Sequence, residues 1–276
     1  MGMRINTNIQ SMSAQRSLGQ VRNEQDKVFE RLSSGSRINK AADDAAGLAI
    51  SEKLKAEIRG SQQATRNAGD GISMIQTAEG GLNEVSNILV RLRELSVQAA
   101  SDTVGDTERK FSDMEFQNLV SEVDRISQST KFGERQLLNG EGGVYDFQIG
   151  TGNVAENDRI SYMASESNST AAGLGVSGLS VVSKESSQAN LEKIDMAITN
   201  VSGSRATLGA LQNRLSSTIN NLDVKTENLS AANSRIRDTD VAEASAALAK
   251  TNILSAASTS VLAQSNSQGQ SALKLI

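Results

Sequence analysis

The chain has 276 residues and a formal net charge of −4, with no Cys, His, Pro or Trp and only five Phe and two Tyr as aromatics. Missing Cys excludes disulfides, thiolate metal sites and thiol nucleophiles; missing His removes the commonest general base and leaves zinc only carboxylates. The mild acidity gives no reason to expect nucleic acid as a partner, and no stretch nears the ~18 apolar residues of a membrane helix, so no membrane insertion is expected.

Hydrophobic residues make up 37% of the chain, below the ~45–50% usual for globular domains. Such a composition, rich in Ala, Leu, Gln and Ser, suits long helices packed through small side chains. Charge is unevenly spread: residues 1–60 carry ten Lys/Arg against seven Asp/Glu, and residues 132–192 carry three against eight. The middle is therefore expected to face water.

In chain order, the start Met1-Gly2-Met3-Arg4-Ile5-Asn6 lacks the apolar run of a secretory signal, so none is expected to be cleaved. Leu18, Val21, Val28 and Leu32, with Gln25 among them, fall at 3–4 spacing and predict a helix ended by Gly35. Asp43 and Asp44 stand where a helix N-terminus favours carboxylates. A second helix is predicted on Ile75, Ala78, Leu82, Val85, Leu89, Leu92, Ser96 and Ala99, with a kink or break near Gly69 and Gly71. A third seam runs Phe116, Leu119, Val123, Ile126 after the Gly105 break.

Between Gly133 and Val182 the pattern changes. Val144–Ile149 and Arg159–Tyr162 alternate and predict a β-hairpin, and Leu174–Val182 predicts a further strand. The strongest periodicity follows: Ile194, Val201, Leu208, Leu215, Leu222, Leu229 and Ile236 recur every seventh residue, predicting one helix of about 43 residues. Its companion positions, Ala197, Ser204, Leu211, Thr218, Lys225 and Ala232, are mostly small or polar. A last, Ala/Ser-rich segment has only a sparse stripe that includes Leu248, Val261 and Leu262. The first and last helices bury too little alone; pairing, and cover by neighbouring copies, is expected to order them.

Several motifs lie in a telling order: Arg4-Ile5-Asn6-Thr7-Asn8, the run Leu32–Ser51 with Asn39-Lys40-Ala41-Ala42-Asp43-Asp44-Ala45-Ala46-Gly47-Leu48, Arg66–Leu82, Arg91–Gln98, Ala232–Ile236 and Thr259–Asn266. Together they resemble bacterial flagellin across roughly the first 140 and last 90 residues. The resemblance implies a mainly α fold of long antiparallel helices and a terminal coiled coil, with a small β-hairpin insert. Residues 1–40 and 237–276 are then the inner coiled-coil layer, 41–140 and 183–236 a helical rod domain, and 141–182 a short β-rich variable insert.

The same resemblance implies a structural subunit, not an enzyme, with no catalytic, cofactor or metal residues. It polymerises helically with itself into an extracellular filament used for swimming. Export unfolded through the flagellar type III apparatus is implied, with an export chaperone on the C-terminal segment and contacts to hook-associated junction and cap proteins. A junction protein of the same fold is the alternative. The expected self-assembly positions are Leu18, Val21, Val28 and Leu32, the heptad run from Ile194 to Ile236, and Leu248, Val261 and Leu262, and Arg91, Leu95 and Glu115 match positions that meet the flagellin-sensing Toll-like receptor. Ser165, Ser167, Ser169 and Thr170 are candidate sugar acceptors.

Overall fold

A computed structural model describes the backbone of residues 7–273 and the side chains of residues 7–267. Arg4-Ile5-Asn6 of the opening motif lies outside the described residues. The helices are α1 (Ile9–Ser34), α2 (Ala45–Ala99), α3 (Asp106–Ser129), a single turn α4 (Ala155–Asp158), α5 (Lys184–Arg237) and α6 (Val241–Leu273). Four short strands, β1 (Lys131–Phe132), β2 (Arg135–Gln136), β3 (Val144–Gln148) and β4 (Arg159–Met163), form two antiparallel pairs. The expected fold class, long antiparallel helices with a paired terminal coiled coil and a small hairpin, is what the chain adopts.

Two compact units emerge, residues 1–56 with 228–276, and residues 57–227. In the first, α1 lies antiparallel along α6. Asn8 Nδ2 donates to Ser265 O at 2.9 Å, Gln25 Nε2 to Asn252 Oδ1 at 2.6 Å, and Ser36 bridges to Asp238. The helix ends are satisfied by local chemistry. Asn8 Oδ1 accepts the Ser11 N–H at 3.1 Å, and Gly35 closes α1 with φ +68°, a conformation that other residues adopt only with strain. The next residues then cap another helix: the Arg37 N–H donates to Arg237 O at 2.6 Å and its guanidinium to Ile236 O at 2.7 Å, at the end of α5. Asp44 accepts from the Gly47 N–H at 2.8 Å at the start of α2, as the carboxylate pair there predicts.

The second unit holds the main core. Every member of the α2 seam from Ile75 to Ala99 is buried, facing Phe116, Val120 and Val123 of α3 and Ile194, Ala197, Val201, Leu208, Leu211 and Leu215 of α5. Antiparallel α2 and α5 are also tied by Glu57–Lys225 (2.8 Å) and Arg93–Asp195 (2.6 Å). Arg109 of α3 is almost fully buried and donates to Ala99 O (2.9 Å), Ser101 O (2.9 Å) and Asp106 Oδ1 (3.1 Å). It therefore caps the C-terminal end of α2, where unsatisfied carbonyls and the helix dipole both favour a cation.

The structure departs from the sequence-based expectations in five places. First, α2 runs unbroken through Gly69 and Gly71. Gly71 serves close packing instead: a Cβ there would meet the Phe147 ring at 3.0 Å. Second, Leu174–Val182 forms no strand. Leu174, Val176, Leu179 and Val181 are buried, but Gly175 and Gly178, each with φ +72°, turn the chain between them. Third, the acidic middle does not simply face water. Ile149, Ile160, Tyr162, Ala164 and Ala171 join the core, while the charged residues take the outside. Fourth, α5 has 54 residues, starting ten before the heptad run begins. Fifth, Lys131–Phe132 and Arg135–Gln136 pair as a hairpin around Gly133, where no strand was expected.

Candidate self-assembly surfaces

The α1–α6 pair is built on a continuous 3–4 alternation. On α1 it runs through the covered or half-covered Ser11, Ala14, Leu18, Val21, Gln25, Val28 and Leu32; on α6 through Ala244, Leu248, Thr251, Ser255, Ser258, Leu262 and Ser265. This is a coiled-coil register in which Leu and Val share the seam with small or hydroxyl-bearing residues. The apolar pattern alone finds Leu18, Val21, Val28, Leu32, Leu248 and Leu262, but not the Ser and Thr layers. Val261 is a correction: it is 59% exposed. It stands one residue before the half-covered Leu262, and one residue turns the side chain by ~100° around the helix.

In α5 the heptad residues Ile194, Val201, Leu208, Leu215 and Leu222 are buried, and Leu229 and Ile236 are half-buried. The first five lie in residues 57–227, whereas Leu229 and Ile236 belong to the thinner first unit.

Outside its seam the α1–α6 pair presents large apolar side chains to solvent. Ile9, Met12 and Phe29 do so on α1; Val241, Leu254, Val261 and Ile253, the last 70% exposed, do so on α6. A groove of about 550 Å³ runs between the helices, lined by Ala14, Leu254, Ala257 and Val261 among Ser and Gln. Among the described residues, the main packing partner of each of these two helices is the other. A surface with this many large exposed apolar side chains is a candidate interaction site.

The second unit has a surface of its own. Arg91 on α2 donates from Nε to Glu115 Oε1 and from Nη1 to Glu94 Oε2, each at 2.9 Å. Glu94 and then Glu115 hold the guanidinium pKa above its ordinary value. Leu95 does not share this surface. It is 2% exposed, three residues after Leu92 and four before Ala99, and so belongs to the apolar seam. Val90, Val97, Phe111 and Met114 are exposed on the same two helices. Phe111 and Met114 escape sequence reasoning because they lie off the seam that contains Phe116.

Of the candidate sugar acceptors, Ser167 and Ser169 are buried, Thr170 is half-buried and Ser165 is exposed. Among the described residues no three acidic groups cluster as a metal site, and no helix is long and apolar enough to cross a membrane.

Residues 5–142 match the bacterial flagellin N-terminal helical region, and residues 191–276 match the bacterial flagellin C-terminal helical region. A flagellin of Halalkalibacterium halodurans is 45% identical over 99% of this chain and all of its own length. A flagellin of Bacillus subtilis is 42% identical, and the flagellar filament 30.7 kDa core protein of Treponema maltophilum 41%, each over 99% of this chain and the whole relative. Among solved structures, Bacillus cereus flagellin is 29% identical and covers 61% of this chain and 94% of itself, with a TM-score of 0.51. A putative flagellar hook-associated protein from Vibrio parahaemolyticus shares the fold at a TM-score of 0.59 and 16% identity, covering 71% of this chain and all of itself. With both helical regions matched and relatives this similar from end to end, the chain belongs to the bacterial flagellins, the structural subunits of flagellar filaments.

Proposed function

We propose that the chain polymerises helically with copies of itself into the filament of a bacterial flagellum that drives swimming, outside the cell. The observation that carries this reading is the unburied apolar face of the α1–α6 pair, from Ile9, Met12 and Phe29 to Ile253 and Val261. Two helices whose seam mixes Leu and Val with Ala, Ser and Thr gain less from each other than a fully apolar pair would, so burial of their outer faces by further copies supplies the missing stabilisation. In this reading residues 1–40 and 237–276 form the inner layer, 41–140 and 183–236 the rod, and 141–182 the short outer segment. The seam residues Leu18, Val21, Val28, Leu32, Leu229, Ile236, Leu248 and Leu262 hold the inner pair in register, and Val261 faces a neighbouring copy.

Export unfolded through the flagellar type III apparatus belongs to the same proposal, with a chaperone holding the C-terminal segment beforehand. Junction and cap proteins of the hook region are its expected end contacts. The flagellin-sensing Toll-like receptor is an external reader that reaches Arg91 and Glu115, the exposed pair, while Leu95 supports their helix from within.

The test is negative-stain microscopy of the purified full chain at high concentration with a precipitating salt. Long filaments are expected from the full chain, and none from a chain ending before Val241. Monomers alone from the full chain, or filaments of ordinary length from the shortened one, would overturn the proposal.

A further inference from the structure

The connection between β2 and β3 contains Asn139-Gly140, the one Asn-Gly step in the 276 residues. It follows directly on an anchored stretch. Leu137 and Leu138 are fully buried, and Leu138 O accepts from the Ser169 N–H at 2.8 Å. Asn139 itself is half-buried, and its Oδ1 accepts the Glu141 N–H at 3.1 Å in an Asx turn. That bond holds the side-chain carbonyl against the Gly140–Glu141 backbone and draws electron density from Cγ. Its Nδ2 donates to Gln136 Oε1 and, at 3.4 Å, to Glu141 Oε2.

The amide nitrogen of the next residue is the other half of the site. No acceptor among the described residues takes the Gly140 N–H, and glycine has no side chain to shield it. Other Asn residues in loops differ on this point. After Asn157, the Asp158 N–H is held by Val154 O at 2.8 Å; after Asn168, the Ser169 N–H is held by Leu138 O. After Asn153 and Asn39, the following amides donate to Asp158 Oδ2 (2.9 Å) and Asp43 Oδ2 (3.0 Å). Asn8 precedes the branched Ile9, which crowds its own nitrogen. Asp70-Gly71, the nearest chemical analogue, lies inside α2, where the backbone amides are committed to the helix.

We propose that Asn139 is a site of spontaneous modification, deamidating through its neighbour Gly140 to a mixture of aspartate and isoaspartate. Solvent base removes the Gly140 amide proton. The nitrogen attacks Asn139 Cγ, a C–N bond forms, and the Cγ–Nδ2 bond breaks with release of ammonia, leaving a five-membered imide. Water then opens either imide carbonyl. Opening at Cγ restores the backbone as aspartate; opening at the main-chain carbonyl leaves isoaspartate, with the chain now routed through Cγ. The net change is one amide and one water converted to one carboxylic acid and one ammonia, with no oxidant or reductant.

Two structural consequences follow. A new carboxylate faces Glu141, and the donor to Gln136 is lost. Isoaspartate also adds a backbone atom between Leu138, which is pinned by Ser169, and β3.

The test ages the folded full chain from neutral to mildly alkaline pH, then maps every Asn by peptide mass and by enzymatic methylation of isoaspartate. Conversion is expected at Asn139 before any other Asn, rising about tenfold per pH unit because the nitrogen must lose a proton first. Asn139→Gln, which keeps the hydrogen-bonding groups but must close a larger ring, is expected to abolish it. Because the readout is resolved by position within the unaltered chain, it does not depend on how that variant folds. If Asn139 keeps its amide, or if any other Asn reacts as fast, the assignment is wrong.

Discussion

Truncating Arg109 to Ala would leave Ala99 O and Ser101 O without the donor that now closes α2, in a place from which water is largely excluded. Unpaired buried acceptors are penalised more than the net worth of the bonds that they lose, so the expected destabilisation is ~1–3 kcal/mol. Arg109→Lys should recover only part, because an ammonium lacks the planar fork that reaches two carbonyls and Asp106 together. Thermal denaturation in the two variants measures both effects; an unchanged midpoint for Ala would show that the cap is dispensable. Arg109 is also a residue whose role its sequence position conceals. It stands in a polar turn, and only the return of α3 past the end of α2 brings the two into contact. The same holds for Arg37 at the end of α5 and for Leu95. Leu95 shares a helix face with Arg91 by spacing, yet the 3–4 register from Leu92 to Ala99 takes it inside.

Among the elements, the periodic ones were the most legible. A seam repeated every seven residues leaves few alternatives to a long helix, and in α5 it marks the buried side as far as Leu222. Leu208→Ala should therefore cost ~2–5 kcal/mol by leaving a cavity in a close-packed core, and Val224→Ala, at an exposed site, within ~0.5 kcal/mol. Chemical denaturation separates the two, and equal losses would contradict the register. Legibility failed where burial and backbone pairing part company. Leu174 to Val181 alternate like a strand because they alternate inward, yet they meet no partner strand. It failed again along α1 and α6, where layers of Ser and Thr do the packing that a search for apolar residues overlooks. Gly71 looked like a helix breaker, whereas the approach of the Phe147 ring explains it.

Across the whole molecule, stability is concentrated in one unit. The continuous core lies in residues 57–227, while the described residues of 1–56 and 228–276 bury Leu18, Ile38 and a few small side chains. Amides of α2 from Ile75 to Ala99 and of α5 from Ile194 to Leu222 should thus exchange hydrogen more slowly, in the isolated chain, than those of α1 and α6. Mass spectrometry after deuterium labelling would detect the contrast, and uniform protection would refute it. Assembly should then raise protection most at the two ends, since they have most left to bury.

The hydroxyls along the α1–α6 seam bear on how the ends behave when they are apart. Separating a seam filled with leucine throughout wets a strip of oil, but parting Ser11, Thr251, Ser255, Ser258 and Ser265 returns to water groups that bind it readily. The two extremities can therefore open at small free-energy cost and close again in the same register.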